Sequence, residues 1–405
     1  MRYIHFLTIT VGVLSIIYSY IGWRLISPAM MNPVWKRIAW ATIPFFIFMP
    51  FVPFFFRFRG IENNWTDLLS WIAYLSLGFF SILFTLLIAR DSIWLVIFLG
   101  KKILSLFSFS HLSNPMLGGT VDPVKRQFMV HIINSGIMGL AVLLTIYGLF
   151  EANRRPSVKE ISIPIQGLHK DLDGFTIAQI TDIHVGPTIK QGFVKKVVER
   201  VHGLKPDVIA LTGDIADGSV KRLKDDVAPL GDLSAPHGIF FVTGNHEYYS
   251  DAEAWVAEMK RMGFTVLMNE NKVIMKGNGT LVMAGIPDLH ASRFAGHPSP
   301  DAEKALLGAK QHPVKILLAH QPRSILDAAK AGFDLQISGH THGGQFFPWI
   351  YIVKKAHPYT SNLHKHGKTW IYVSHGAGYW GPPIRLGVPS EITLIRLATP
   401  NSATS

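Results

Sequence analysis

Residues 175–184 read FTIAQITDIH, an apolar run that stops at an acid and an imidazole. Phe175 to Thr181 has the pattern of a buried strand, and Asp182 and His184 fall just past its carboxyl end. Lys190 to His202 comes next as a helix with Phe193, Val197, Val198 and Val201 along one face. Val208 to Thr212 (VIALT) is another buried strand, so the unit is β-α-β. Outward from it, strands are expected at Ile239 to Thr243, Val266 to Met268, Leu281 to Ala284, Lys315 to Ala319, Leu335 to Ser338, Trp370 to Ser374 and Ile392 to Ile395, with a helix from Ala252 to Met262. This alternation predicts an α/β domain.

In such sheets, ligands bind in the crevice beyond the carboxyl ends of the strands. The sequence places its unusual polar residues there repeatedly. FTIAQIT ends in Asp182 and His184, VIALTG in Asp214 and Asp217, and FFVTG in Asn245 and His246; KILLA ends in His320, and LQISG in His340 and His342. The chain has no cysteine, which excludes disulfides, thiolate metal sites and cysteine nucleophiles. Asp, His and Asn donors suit two divalent ions of the Mn, Fe, Zn, Co or Mg kind. Two ions held about 3.5–4 Å apart need a bridging carboxylate, and Asp214, at the middle of the set, is the expected bridge. Asp182 and His184 would grip one ion with His342, while Asn245, His320 and His340 would complete the shell of the second. Any one of these histidines alone is more often structural; their joint occurrence at five strand ends carries the metal reading.

The blocks DIH at 182–184, GDIAD at 213–217, GNHE at 244–247, AHQP at 319–322 and GHTHGG at 339–344 resemble the five ordered motifs of the calcineurin-like metallophosphoesterases. The resemblance covers roughly 160–397. Membrane spans ahead of the domain, GGQ at 343–345 and GPPIR at 381–385 are most similar to the membrane-bound bacterial branch, which includes relatives of a UDP-2,3-diacylglucosamine pyrophosphatase of lipid A synthesis. The resemblance implies a four-layer α-β-β-α sandwich and ligand roles for Asp182, His184, Asp214, Asn245, His320, His340 and His342. Every motif position is filled.

Two such cations lower the pKa of a bridging water and clamp phosphate oxygens for in-line attack, so that no protein nucleophile is needed. His246 is expected to stabilise the transition state or protonate the leaving oxygen, with Asp217 orienting it. Arg385 is a candidate for bidentate phosphate binding, with a surface salt bridge as the alternative. His357, His364 and His366 are candidates for the site entrance. Phe346, Phe347 and Trp349 to Ile352, with Lys354 and Lys355 after them, read either as a membrane-interface segment or, from Trp349 to Ile352, as a buried strand. The favoured substrate is a lipid-linked phosphomonoester, phosphodiester or pyrophosphate. The alternatives are a nuclease or protein phosphatase of the same superfamily, or a non-enzymatic membrane sensor.

Apolar stretches at 3–23, 38–56, 68–89 and 128–150 are each about long enough to cross a bilayer as a helix. Pro44, Pro50 and Pro53 predict a kink in the second. Residues 90–112 are expected as a helical extension or interfacial segment, or less readily as a fifth span. The domain plan is thus a transmembrane part over 1–150, a linker over 151–160, the α/β domain over 161–397 and a tail over 398–405, in a multi-pass protein of the cell membrane. This division explains a composition that is 48% hydrophobic yet carries a formal charge of +12. Residues 1–156 hold 13 Lys and Arg against 5 Asp and Glu, leaving 26 against 22 for the remainder. The basic excess is largely juxtamembrane, and the α/β half offers little to nucleic acid.

Overall fold

A computed structural model describes residues 2–107 and 122–400. One unit is formed by Met1–Arg59 and Ile72–Tyr147, the other by Gly60–Trp71 and Gly148–Ser405. The helices that make up the first are α1 (Arg2–Leu25), α2 (Pro33–Phe48), α3 (Val52–Phe58), α4 (Asn64–Phe107) and α5 (Pro123–Asn153), the last two also reaching into the second unit. Among the described residues, four stretches are long and apolar enough to cross a membrane: Leu7–Leu25, Pro33–Phe58, Asn64–Ser105 and Pro123–Asn153. The expected kink is a 3₁₀ turn at Met49–Phe51 joining α2 to α3, where Pro50 and Pro53 remove backbone donors. Pro44 is carried inside α2.

Residues 90–107 continue α4 as a helical extension; residues 108–112 lie outside the described residues. Arg90 and Asp91, in the middle of α4, are paired. Asp91 takes hydrogen bonds from Tyr20 Oη, Arg24 Nε and Arg90 Nε, and Arg90 donates to Asn134. Such pairing is how ionisable groups persist among apolar helices.

In the second unit, the strands are β1 (Ser157–Pro164), β2 (Thr176–Ile180), β3 (Val208–Leu211), β4 (Ile239–Phe241), β5 (Thr265–Val266), β6 (Glu270–Lys276), β7 (Gly279–Gly285), β8 (Lys315–Leu318), β9 (Leu335–Ser338), β10 (Asn362–His366), β11 (Thr369–Val373) and β12 (Glu391–Ala398). They form two six-stranded mixed sheets in the orders β1-β12-β2-β3-β4-β5 and β10-β11-β9-β8-β7-β6. Period-two alternation sorts each strand between two cores. Val208 and Ala210 of β3 join Ile316 and Leu318 of β8 between the sheets, whereas Ile209 and Leu211 face an outer layer. That layer is α6 (Gln191–His202), α7 (Val220–Val227) and α9 (Ala252–Arg261), which comes after the short α8 (Asn245–Ser250). On the far sheet, Leu317, Ile371 and Val373 pack with Ile325 and Ala328 of α10 (Ile325–Ala331). The four-layer α-β-β-α sandwich is the direct result of the alternation. The last helix is α11 (Trp349–Ala356).

Within 151–160, residues 151–153 are the last turn of α5, 154–156 connect, and β1 begins at Ser157, pairing with β12 from Ser157↔Glu391 onward. β1 is an edge strand with one wet face, so it lacks the apolar run that marks the central strands. β6 and β10, also absent from the expected strands, lack it for the same reason, being mostly exposed. The tail residues 401–405 lie outside the described residues.

Ile177 is fully buried between the sheets. Ile177→Ala should cost about 2–5 kcal/mol through lost contacts and a residual cavity. Thermal denaturation of the full-length protein should show the loss, and an unchanged melting temperature would contradict this placement of the core.

Candidate metal centre

Strands β2, β3, β4, β8 and β9 deliver their carboxyl ends to one place, and the loops beyond them are bonded together. Asp182 N–H donates to Gly213 O (3.1 Å), His184 N–H to Asp214 O (3.1 Å) and Gly339 N–H to His320 O (3.0 Å). The two sheets are tied just beneath by Gln179, whose Nε2 donates to Thr212 Oγ1 (2.8 Å) and Ser338 O (2.9 Å). His340 N–H adds a bond to the Asp182 carboxylate at 3.0 Å.

Five of the seven expected ligands, Asp182, His184, Asp214, His340 and His342, have positive φ between 49° and 72°. This left-handed conformation costs a side-chain-bearing residue roughly 1 kcal/mol or more and persists only where the surroundings enforce it. Two glycines permit the crowding that results. A Cβ at Gly244 would run into the Asp214 carboxylate, and one at Gly339 into Asp182 and Thr181.

The ligand atoms fall into two groups. In one, His184 Nε2 lies 3.0 Å from His342 Nε2, and Asp182 Oδ1 is 3.4 Å from the latter. In the other, His320 Nε2 lies 3.1 Å from Asp214 Oδ2 and 3.2 Å from His340 Nδ1. Asp214 Oδ2 is also 3.7 Å from His184 Nε2, so one carboxylate oxygen faces both groups. Asn245 Oδ1 is buried without a hydrogen-bond partner, a lone pair that a cation would satisfy. Donor type, burial and this orphaned oxygen all fit two divalent ions. Surrounding groups aim the imidazoles, as around ligating histidines generally. His320 Nδ1 is 2.8 Å from Thr212 O, and His184 Nδ1 is 3.2 Å from Asp217 Oδ1.

Asp217 also reaches His246, whose Nδ1 is 2.5 Å from Oδ1. The His246 N–H donates to Asp214 Oδ1 (2.9 Å), and its ring sits 4.7 Å from His184 and 5.8 Å from Trp380. Arg385, the candidate for bidentate phosphate binding, has its guanidinium taken up by the protein's own backbone. It is fully buried, and its guanidinium donates to the carbonyls of His342, His375, Gly376, Gly378 and Val388 and faces His342 Nδ1 at 3.2 Å. The residue braces the loop behind His342. His357 stacks edge-on to His340 at 5.2 Å, whereas His364 and His366 are engaged with Ser361 and Tyr359.

Glu247, to which sequence reasoning gives no role, is a structural centre of the site. Its buried carboxylate accepts N–H bonds from Gly244 (2.7 Å), Asp214 (3.0 Å) and Ile215 (2.8 Å). A Gly-x-x-Glu spacing at a helix start is the available signal, because an acid at the third helical position caps the turn before it.

Burial opposes charge on His184, but the carboxylates of Asp217, Asp214 and Asp182 outweigh it and raise its pKa to about 9. His320 is likewise driven well up, against burial, chiefly by Asp214. Burial drives His340 and His342 well down, reinforced by the neighbouring His320 and His184 respectively. Burial pushes Asp214 and Asp217 upward, yet the imidazoles around them hold both well below the ordinary carboxylate range.

A model of the calcineurin-like phosphoesterase family matches residues 175–344. An uncharacterized metallophosphoesterase of Helicobacter pylori strain J99 is 38% identical over 284 residues, covering 69% of this chain and 74% of that protein. A Danio rerio transmembrane protein with metallophosphoesterase domain is 37% identical over 267 residues, 64% of this chain and 61% of its own length. The Caenorhabditis elegans protein F40B5.2 is 34% identical over 389 residues, 90% of this chain and 77% of its own.

Cation binding must displace the protons held by His184 and His320. Manganese added to chelator-treated protein at neutral pH should therefore release about two protons per chain, measurable by calorimetry in buffers of different ionisation heat. Because the folded-state pKa of His184 is raised to about 9, its stabilising contribution to the metal-free protein is complete below the unfolded value near 6.5 and is lost as pH rises through 9. Metal affinity should rise over that same interval, and binding without proton release would contradict the arrangement.

Proposed function

The chain belongs to the calcineurin-like phosphoesterases, and we propose that it is a membrane-anchored hydrolase that cleaves a lipid-linked phosphomonoester, phosphodiester or pyrophosphate. Asp214, with one carboxylate oxygen facing both ligand groups, is the observation that carries the hydrolytic reading. Asp182, His184, His342 and Asp214 would hold one divalent ion, and Asp214, Asn245, His320 and His340 the other. When bound, such a pair supplies Lewis acidity toward phosphoryl oxygens and toward water. The chain's own contribution is acid catalysis and orientation. His246 stands beside both groups with Asp217 on its Nδ1, which leaves Nε2 to hydrogen-bond or protonate the leaving oxygen.

The helix just beyond the GHTHGGQ motif supports the lipid part of the proposal. Residues Trp349–Ala356 form it with no buried residue, in place of the buried strand that was the alternative. Phe347 (46%), Trp349 (42%), Tyr351 (59%) and Ile352 (51%) are exposed, as is Trp380 (46%) beside His246. Gln345 ties the two parts, since Trp380 N–H donates to its Oε1 at 3.0 Å. Lys354 and Lys355 end the helix. An apolar helix edged by lysines suits an interface with anionic headgroups. Gly148, on the last turns of α5, takes the Arg385 N–H (3.0 Å) and lies against Ile384 and Leu386, a few residues beyond Trp380. A nucleotide-lipid diphosphate is one substrate of this class.

Asp182→Ala, Asp214→Ala or His340→Ala should abolish hydrolysis and metal retention together, whereas His246→Ala should lower kcat by about 10²–10⁴-fold with the metal content kept. Wild-type rates in the first three would refute the ligand assignment. The lipid reading makes a separate claim: detergent-solubilised lipid phosphoesters should be better substrates than bis-p-nitrophenyl phosphate, and replacing Trp349, Tyr351 and Ile352 by Ser should depress only the former. The reverse ranking would leave a phosphoesterase without a lipid substrate.

A further inference from the structure

The catalytic unit includes Gly60–Trp71, which runs from the loop after the second candidate span into the first turns of α4, where the third begins. Glu62 on this stretch holds the segment just after Asp217. Its carboxylate accepts the Ser219 N–H (3.2 Å to Oε1, 3.4 Å to Oε2) and the Ser219 Oγ–H (2.5 Å). Ser219 is the N-cap of α7, yet its own side chain makes no capping bond. Glu62 therefore supplies the acceptor and the negative charge that a helix N-terminus favours. Asp67 extends the same contact, meeting Arg222 Nη2 at 3.0 Å and Lys190 Nζ at 2.8 Å, and Arg222 also donates to Asn64 Oδ1 (2.8 Å).

Asp217 is thereby fixed from several directions. Its N–H donates to Val185 O (2.7 Å), and the next carbonyl, of Gly218, accepts Trp255 Nε1–H (2.9 Å). A Cβ at Gly218 would lie 3.0 Å from Glu62 Oε1, so the two segments are in close contact there. The carboxylate thus placed is the one that meets both His184 and His246.

We propose that Glu62, in the loop joining two membrane-spanning segments, is a positioning residue for catalysis: by capping α7 at Ser219 it sets Asp217 against His184 and His246. The assignment rests on the catalytic reading of Asp217 and His246. It makes turnover depend on a residue that the membrane half contributes to the catalytic unit.

The test uses full-length protein in detergent, loaded with manganese, with bis-p-nitrophenyl phosphate as substrate. Glu62→Ala should lower kcat about tenfold with KM and bound manganese unchanged, since small misplacements of catalytic groups act on the chemical step. Glu62→Gln, which keeps an acceptor oxygen, should recover most of the loss. Amide hydrogen exchange should quicken in the peptide spanning Ile215 to Leu223 in Glu62→Ala and stay as in wild type in the strands of both sheets. Wild-type kcat in Glu62→Ala overturns the proposal whether or not exchange changes; so does a loss that appears in KM alone. Asp217→Asn, run alongside, separates the two readings. If it turns over like wild type, the catalytic reading has failed; if it is slow while Glu62→Ala is unaffected, only the positioning role has. Should Glu62→Ala not fold, Ser219→Ala removes the Oγ donor from the other side, and an unchanged kcat there overturns the proposal equally.

Discussion

Buried charge is the constraint from which the catalytic unit is organised. Asp182, Asp214 and Glu247 are carboxylates with almost no contact with solvent, and His184, His320 and His342 are buried around them. Isolated charges in such a place would cost far more than a domain's net stability. They are tolerable because each is answered: Glu247 by backbone N–H groups, Asp214 by His320 and the His246 N–H, Asp182 by the His340 N–H and Thr181 Oγ1. Those answers come from loops of two different sheets, so the sandwich must close for the site to exist. The left-handed backbone at five ligands and the bare Cα positions at Gly244 and Gly339 are consequences of bringing the loops that close together.

This dependence explains which parts are legible in the amino-acid sequence. Central strands such as Val208–Leu211 are buried on both faces and announce themselves as apolar runs. The ligands are legible too, because each run ends in a polar residue that no folding argument demands. Edge strands carry no such mark: β1, with one wet face, passes for a linker. Arg385 shows the deeper limit. In a glycine- and proline-rich loop beside the motifs, an arginine reads equally well as an anion receptor or as a brace, and only the carbonyls around its guanidinium decide. Glu62 is not legible at all, since nothing local distinguishes an acid in a short polar loop from any solvated charge.

The helix after the metal motif illustrates how context changes the same residues. WIYI has the composition of a buried strand, and helical propensity argues weakly either way. The preceding GHTHGGQ turn packs against this segment. Gly344, at φ 83°, packs directly on the backbone of Ile350 in the first turn of the helix Trp349–Ala356, none of whose residues is buried. An exposed aromatic surface is tolerated poorly in water. It is unexceptional in a chain whose other unit carries four candidate membrane spans.

A sensor that merely bound cations would need the ligands and nothing more. On the proposed hydrolytic reading, His246 is the residue that separates binding from catalysis. Its imidazole joins Asp217 and His184 in a third cluster beside the two around Asp214 and Asp182, and it is kept 7% exposed, with the ring between His184 and Trp380. Asp217 is itself held far below the ordinary carboxylate range against burial, chiefly by His246 and then by His184. On the hydrolytic proposal, an ionised carboxylate set behind this histidine has a use beyond cation binding. It is the ordinary arrangement for a group that must present a proton, in a fixed orientation, to an oxygen leaving phosphorus.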